Sequence, residues 1–360
     1  MPHLDSPITY RCGLTLPNRI AMAPLTNTQS NADGTLHDDE LRWMVRRARG
    51  GWGLVSTCAA FISEEGHAWN GQLGVATDAH LPGLTRLATA LTDAGTIPIV
   101  QLHHGGAKAD EAPMKLSTVD GDNQRGATEE DIRRVIADFV AAALRSERAG
   151  FAGVEIHGAN GYILTQFLAP DDNPRTDGYG GDLAGRARFV RETLRAVRAA
   201  VSPGFAVGVR LSPVDAWARR GLLLEDGVQV AAWMGEDGAD FVHLSLGDAK
   251  GPPPHEAGGP VVTTAVRQAL ASEVALHACG GITTRADADA VLAAGADVAV
   301  LGRMSIAHPD WPRESAAAGF APLPMPWDAG HLRSVEVGPD FLAYISKFPG
   351  FVAGGAAARG

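Results

Sequence analysis

The 360-residue chain reads as a single (β/α)8 barrel of the TIM type, with an N-terminal β-hairpin cap and a short C-terminal helical extension. Three observations carry that reading. One pattern recurs, in which a helical stretch ends at glycine and two or three residues lead into a short β-rich run. It appears as RARGGWGLVST (47–57), DAGTIPIVQL (93–102), ERAGFAGVEI (147–156), EDGADFVHLSL (236–246) and AAGADVAVLG (293–302). Glycine there is a helix C-cap that accepts the left-handed conformation. The runs that follow are apolar throughout rather than alternating, as strands buried on both faces must be. Adding 19–25, 206–211 and 275–279 brings the strands to eight. Eight alternating units favour a closed barrel over an open doubly wound sheet, which counting alone leaves as the alternative.

Taken in order, residues 8–18 form a small hairpin placed to plug the bottom of the barrel. Helical patterns follow at 38–49, 80–94, 128–149, 182–200, 225–237, 261–272 and 283–294, with a last one near 308–318. Thr128 with Asp131, and Thr283-Thr284 ahead of 285–294, are helix-start signals. Beyond about 320 the chain is proline-rich, offers one more helix at 339–347, and ends in a Gly/Ala tail expected to fray. The domain reading is one barrel with its hairpin over 1–325 and an extension over 326–360. The helix near 339–347 is a candidate contact for a homo-oligomer.

Composition narrows the function. Hydrophobic residues are 45% and charged residues 20%, which fits a globular chain, and the net charge of −10 comes with no basic cluster for nucleic acid. Cys12, Cys58 and Cys279 form neither a disulfide framework nor a metal clip, so a cytoplasmic setting is expected. No apolar run approaches the roughly 20 residues of a membrane span.

In a barrel, chemistry collects at the C-terminal ends of the strands. The most informative stretch is GVEIHGANGYILTQFLAPDDNPRTDGYGG (153–181). It places His157, Asn160 and Tyr162 within six positions at a strand end. A donor pair beside a phenol can hold a substrate oxygen and deliver a proton to a neighbouring carbon. GGIT (280–283) and LGRM (301–304) end the last two strands, each before a helix. Glycine there admits a phosphate to backbone N–H groups, and Arg303 adds a bidentate donor. Thr26, Gln101 and Arg210 supply donors and acceptors suited to the edge of a flat heterocycle. Arg210 needs an anion or an electron-rich partner if buried; an ion pair with Glu155 or Asp240 is the structural alternative.

The motifs MAPLT (22–26), QLHHGG (101–106), EIHGANGY (155–162), FLAPDDNPRTDGYGG (167–181), VRLSP (209–213), GGIT and LGRM together resemble the Old Yellow Enzyme family of FMN-dependent ene-reductases. Their order and spacing match across roughly residues 5–320. The resemblance implies noncovalent FMN, with NADH or NADPH as reductant and a small substrate bearing an electron-poor alkene. Thr26 would bond flavin O4, with backbone of Pro24 and Ala59 nearby; Gln101 and Arg210 would take the pyrimidine edge. Gly281, Gly302 and Arg303 would hold the phosphate. His157 and Asn160 would bind the substrate carbonyl and Tyr162 would protonate, with no metal involved. The chain departs from the family where Thr26 replaces the cysteine of one branch and Asn160 the second histidine of that branch. HGGAK (104–108) also lacks the basic residue of HAGR, with Ala107 in its place.

Competing readings draw on other residues. A metal-dependent hydrolase could use His103, His104, His157, His243 and His277, although adjacent His103 and His104 must point opposite ways on a strand. A Schiff-base aldolase lacks a strand lysine. A flavin-binding protein without turnover would have to lack the donor pair or the phenol, and His157, Asn160 and Tyr162 are all present. Trp69 is a candidate lining residue at the pocket mouth.

Overall fold

In the computed structural model, residues 3–214, 222–254, 256 and 258–355 are described. Eight parallel strands close into a barrel: Ile20–Met22, Leu54–Phe61, Ile97–His103, Gly153–Gly158, Ala206–Leu211, Phe241–Ser245, Ala275–Cys279 and Val298–Leu301. Closure is explicit in the pairing, because the first strand is hydrogen-bonded to both the second and the eighth. That removes the open-sheet alternative. The first strand is shorter than the expected 19–25. Pro24 has no N–H to give a ladder, so pairing stops at Met22.

The helices fall where periodicity put them, at Asp38–Ala48, Leu81–Asp93, Glu129–Arg148, Leu183–Ala200, Leu224–Glu236, Val262–Ala269 and Arg285–Ala293. Thr128 and Asp131 form the expected capping box, as do Thr284 and Asp287. The single helix expected near 308–318 is instead two short ones, Arg303–Ala307 and Trp311–Glu314. Pro309 drives His308 out of the helical region, to φ −125° and ψ 76°, and Pro312 fits only a first turn.

The hairpin strands Ile8–Thr9 and Thr15–Leu16 sit beneath the barrel. Tyr10 and Leu16 pack into one layer with Leu54, Ile99, Ala206, Phe241, Ala275 and Val298. This floor is tight. A Cβ on Gly208 would lie 2.1 Å from the Phe241 ring. At the other end, the helices Ala329–Ser334 and Pro339–Ile345 pack back onto the barrel's upper loops. The Gly338 N–H donates to Gln29 Oε1 at 3.0 Å, and buried Arg47 donates to the carbonyls of Ser305, Ile306 and Val335.

Candidate active site

Barrel geometry sorts the polar residues of the strands by level. Alternate positions face inward, so each strand above the floor offers one residue in the middle and one at the rim. The third strand offers Gln101 and His103, the fourth Glu155 and His157, the sixth His243 and Ser245, the seventh His277 and Cys279. On the fifth strand Gly208 leaves the middle open and Arg210 reaches the rim.

The middle level is a buried hydrogen-bonded group. Gln101 Nε2 donates to Glu155 Oε1 at 2.7 Å, and His243 Nδ1 donates to Glu155 Oε2 at 2.7 Å. Burial alone would push the Glu155 carboxyl up. Its contact with His243, the charge of Arg210 and the hydrogen bond from Gln101 outweigh that and hold it low. Burial drives His243 down, so a neutral imidazole donates to an ionised carboxylate. With its Nε2 committed to Glu155, Gln101 keeps Oε1 as an acceptor for which no donor is found among the described residues. Below, His277 Nε2 meets the Tyr10 hydroxyl at 2.7 Å. The histidines named for a metal-dependent hydrolase are thus committed separately, and His104 points away from His103 to accept from the Gly106 N–H.

At the rim, His157 stands beside Arg210 in register. Four rings build one wall: Tyr162 meets His103 edge-on at 4.2 Å and His157 at 5.1 Å, and Trp69 lies 5.3 Å from His103. Gln72 Nε2 contacts His103 Nδ1 at 3.1 Å and also donates to the Ala59 carbonyl. Burial drives His157 well below the usual histidine range, so it acts as a neutral donor. Burial, with the Tyr344 phenol nearby, pushes Tyr162 up to about 12. A phenol so raised keeps its proton through the physiological range.

Arg210 makes neither ion pair considered for it. Asp240 is taken by Arg11 and Arg198, and Glu155 by His243 and Gln101. Its Nη2 donates to Ser245 Oγ at 3.1 Å, while its buried Nε has no hydrogen-bond partner among the described residues. A buried guanidinium N–H without an acceptor at the rim, with the Gln101 amide one level below, offers the kind of donor and acceptor that a flavin pyrimidine edge takes. Pro24 is buried and Thr26 half-buried beyond the first strand, with the Tyr344 phenol against the Thr26 hydroxyl.

The phosphate end fits as well. Gly280 (φ +148°) and Gly281 (φ +63°) adopt backbone that other residues rarely take, and Lys250 Nζ donates to the Gly281 carbonyl at 2.8 Å. Gly302 lies at the end of the eighth strand. Arg303 beside it is exposed and has no ion-pair partner among the described residues.

The family profile of the NADH:flavin oxidoreductase / NADH oxidase family matches residues 3–318. The chain belongs to this family. It is therefore an NAD(P)H-dependent flavin oxidoreductase of the Old Yellow Enzyme type, and FMN is the family's cofactor. It is similar to an NADPH dehydrogenase of Bacillus cytotoxicus, 34% identical over 322 residues, covering 87% of this chain and 92% of that protein. Among solved structures it resembles an Old Yellow Enzyme homologue from Zymomonas mobilis, with TM-score 0.77 and 27% identity, covering 89% and 94% of the two chains. It also resembles morphinone reductase in complex with tetrahydroNAD, with TM-score 0.76 and 27% identity, covering 92% and 94%.

Sequence reasoning named Glu155 only as a counter-ion for Arg210, His243 only as a metal ligand and Ser245 only as a strand-end residue, and it missed Gln72 and Tyr344. A signal existed for the first three, since each is a polar residue inside an otherwise apolar strand and in phase with a residue already singled out. Tyr344 carried none, because only the fold brings its helix to Thr26.

Proposed function

We propose that the chain reduces the activated C=C bond of α,β-unsaturated carbonyl or nitro compounds. When bound, FMN would supply the hydride chemistry between NAD(P)H and the substrate's β-carbon. Thr26, with Pro24 and Ala59 beside it, holds one side of the ring; Gln101 and Arg210 hold the pyrimidine edge. Gly281, Gly302 and Arg303 receive the phosphate. The cationic Arg210 offsets negative charge on that edge.

His157 and Asn160 donate to the substrate oxygen and draw electron density from the β-carbon. Tyr162 releases its proton to the α-carbon. The same donor pair takes the nicotinamide carboxamide in the other half-reaction, so the two substrates alternate in one pocket and initial-rate lines should be parallel. The observation that carries the reading is the convergence of His157 and Tyr162 on one wall, 5.1 Å apart, with the open Nε of Arg210 at the same rim.

The test is anaerobic spectroscopy of the FMN-loaded protein. Flavin bands should bleach with NADH or NADPH and return with 2-cyclohexenone. Tyr162→Phe should leave bleaching intact and slow the return by about 10²–10⁴-fold, the usual worth of a positioned acid. Full-speed return in that variant would remove Tyr162 from the mechanism, and wild-type protein that bleaches but never returns would refute alkene reduction.

A further inference from the structure

Ser245 ends the sixth barrel strand, half-buried, between Arg210 and Asn160. Arg210 Nη2 donates to its Oγ at 3.1 Å. A guanidinium has no lone pair to offer, so that bond uses one lone pair of Oγ and leaves the serine proton for another acceptor. The proton's partner is Asn160 Oδ1, at 3.1 Å. Ser212 repeats the logic independently. Its Oγ accepts the Asn160 backbone N–H at 3.2 Å and donates to the same Oδ1 at 3.4 Å.

A carboxamide has an acceptor end and a donor end, and a half-turn about its last bond exchanges them. With oxygen at that position both hydroxyl protons find an acceptor. Nδ2 must then face the opposite way. The backbone is held as firmly: Asn160 sits at φ +60°, and Lys108 Nζ donates to its carbonyl at 3.0 Å.

We propose that Ser245, supported by Ser212, is a positioning residue that fixes the polarity of the Asn160 carboxamide, taking its own direction from Arg210. The arrangement presents Nδ2–H to a ligand carbonyl in both half-reactions. It rests on the assignment of Asn160 as a carbonyl donor, and it adds that Arg210 orders the substrate donor as well as the cofactor edge. Without the serine proton the amide could present Oδ1 to the ligand, setting acceptor against acceptor.

The test is a double-mutant cycle on FMN-loaded protein, with tetrahydroNAD as a ligand that cannot pass hydride on. Its dissociation constant would be read from the flavin absorbance in wild type, Ser245→Ala, Asn160→Ala and the double variant. Ser245→Ala should weaken binding about five- to thirtyfold, the usual worth of a misdirected polar contact. In the Asn160→Ala background the same change should cost less than about twofold. Ser212→Ala should show a smaller loss with the same dependence on Asn160, its bond being longer. Unchanged affinity in Ser245→Ala, or an equal loss in both backgrounds, would overturn the proposal. Reoxidation by 2-cyclohexenone is a separate readout, so alkene reduction could fail while the cycle still decides the role of Ser245.

Discussion

Acid should destabilise this barrel well before its carboxylates titrate. His103, His104, His157 and His277 are each at most 4% exposed, and burial drives all four down, His104 to about 3. An unfolded histidine titrates near 6.5. Below that pH the unfolded chain binds protons that the folded chain refuses, so stability falls as pH falls. Between pH 7.5 and 5.5 each such histidine contributes a loss of about 1.4 kcal/mol. Four together lose about 5–6 kcal/mol. Buried Glu40 and half-buried Asp138 are pushed up and work the other way, while His243 and His308, also driven down by burial, add to the fall. Carboxylates held low by arginines, such as Asp177, lose their contribution only below about pH 4 and leave this window clear.

The assay is denaturant unfolding of the FMN-loaded protein at 25 °C, at pH 7.5, 6.5 and 5.5. His104→Gln provides the internal control, because His104 accepts one backbone N–H and its Nε2 has no partner among the described residues. That variant should lose about 1.4 kcal/mol less across the same window than wild type. Stability that is flat or rises towards pH 5.5, or an identical slope in His104→Gln, would refute the claim that these rings are buried neutral.

Two further outcomes follow from single side chains. Arg47→Met should cost about 3–5 kcal/mol by unfolding, because buried Arg47 satisfies the carbonyls of Ser305, Ile306 and Val335 and nothing replaces it; limited proteolysis should then cut first beyond residue 335. Gly280→Ala should lower Tm more than Gly281→Ala. Its new Cβ would lie 2.4 Å from the Leu246 carbonyl oxygen, whereas at Gly281 the nearest atom is a carboxylate oxygen of Asp248 at 3.0 Å. FMN affinity in the Gly281→Ala protein should still fall about tenfold, since its φ of +63° suits glycine and the turn must move.

The fold was legible because its signals are local. Glycine C-caps, capping boxes and unbroken apolar runs each lie within about ten residues, and eight repeats of them leave few architectures. The errors at Pro24 and Pro309 are local too, and a stricter reading of proline would have avoided both. The site was legible by residue type only. Gln101, His157 and Arg210 announce themselves as polar residues in strands that are otherwise mostly apolar. What each does depends on the neighbour that the barrel's stagger supplies: Glu155 to Gln101, Ser245 to Arg210, Tyr344 to Thr26. Glu155 shows the limit most clearly. From the sequence it is a candidate counter-ion of Arg210, on the reasonable ground that a buried arginine wants a carboxylate. The register hands that carboxylate to His243 and Gln101 instead, and this frees the arginine edge and the Gln101 carbonyl for a ligand. A buried N–H without an acceptor is costly to fold around, so the Nε of Arg210, with none among the described residues, supports the proposal that FMN completes this rim.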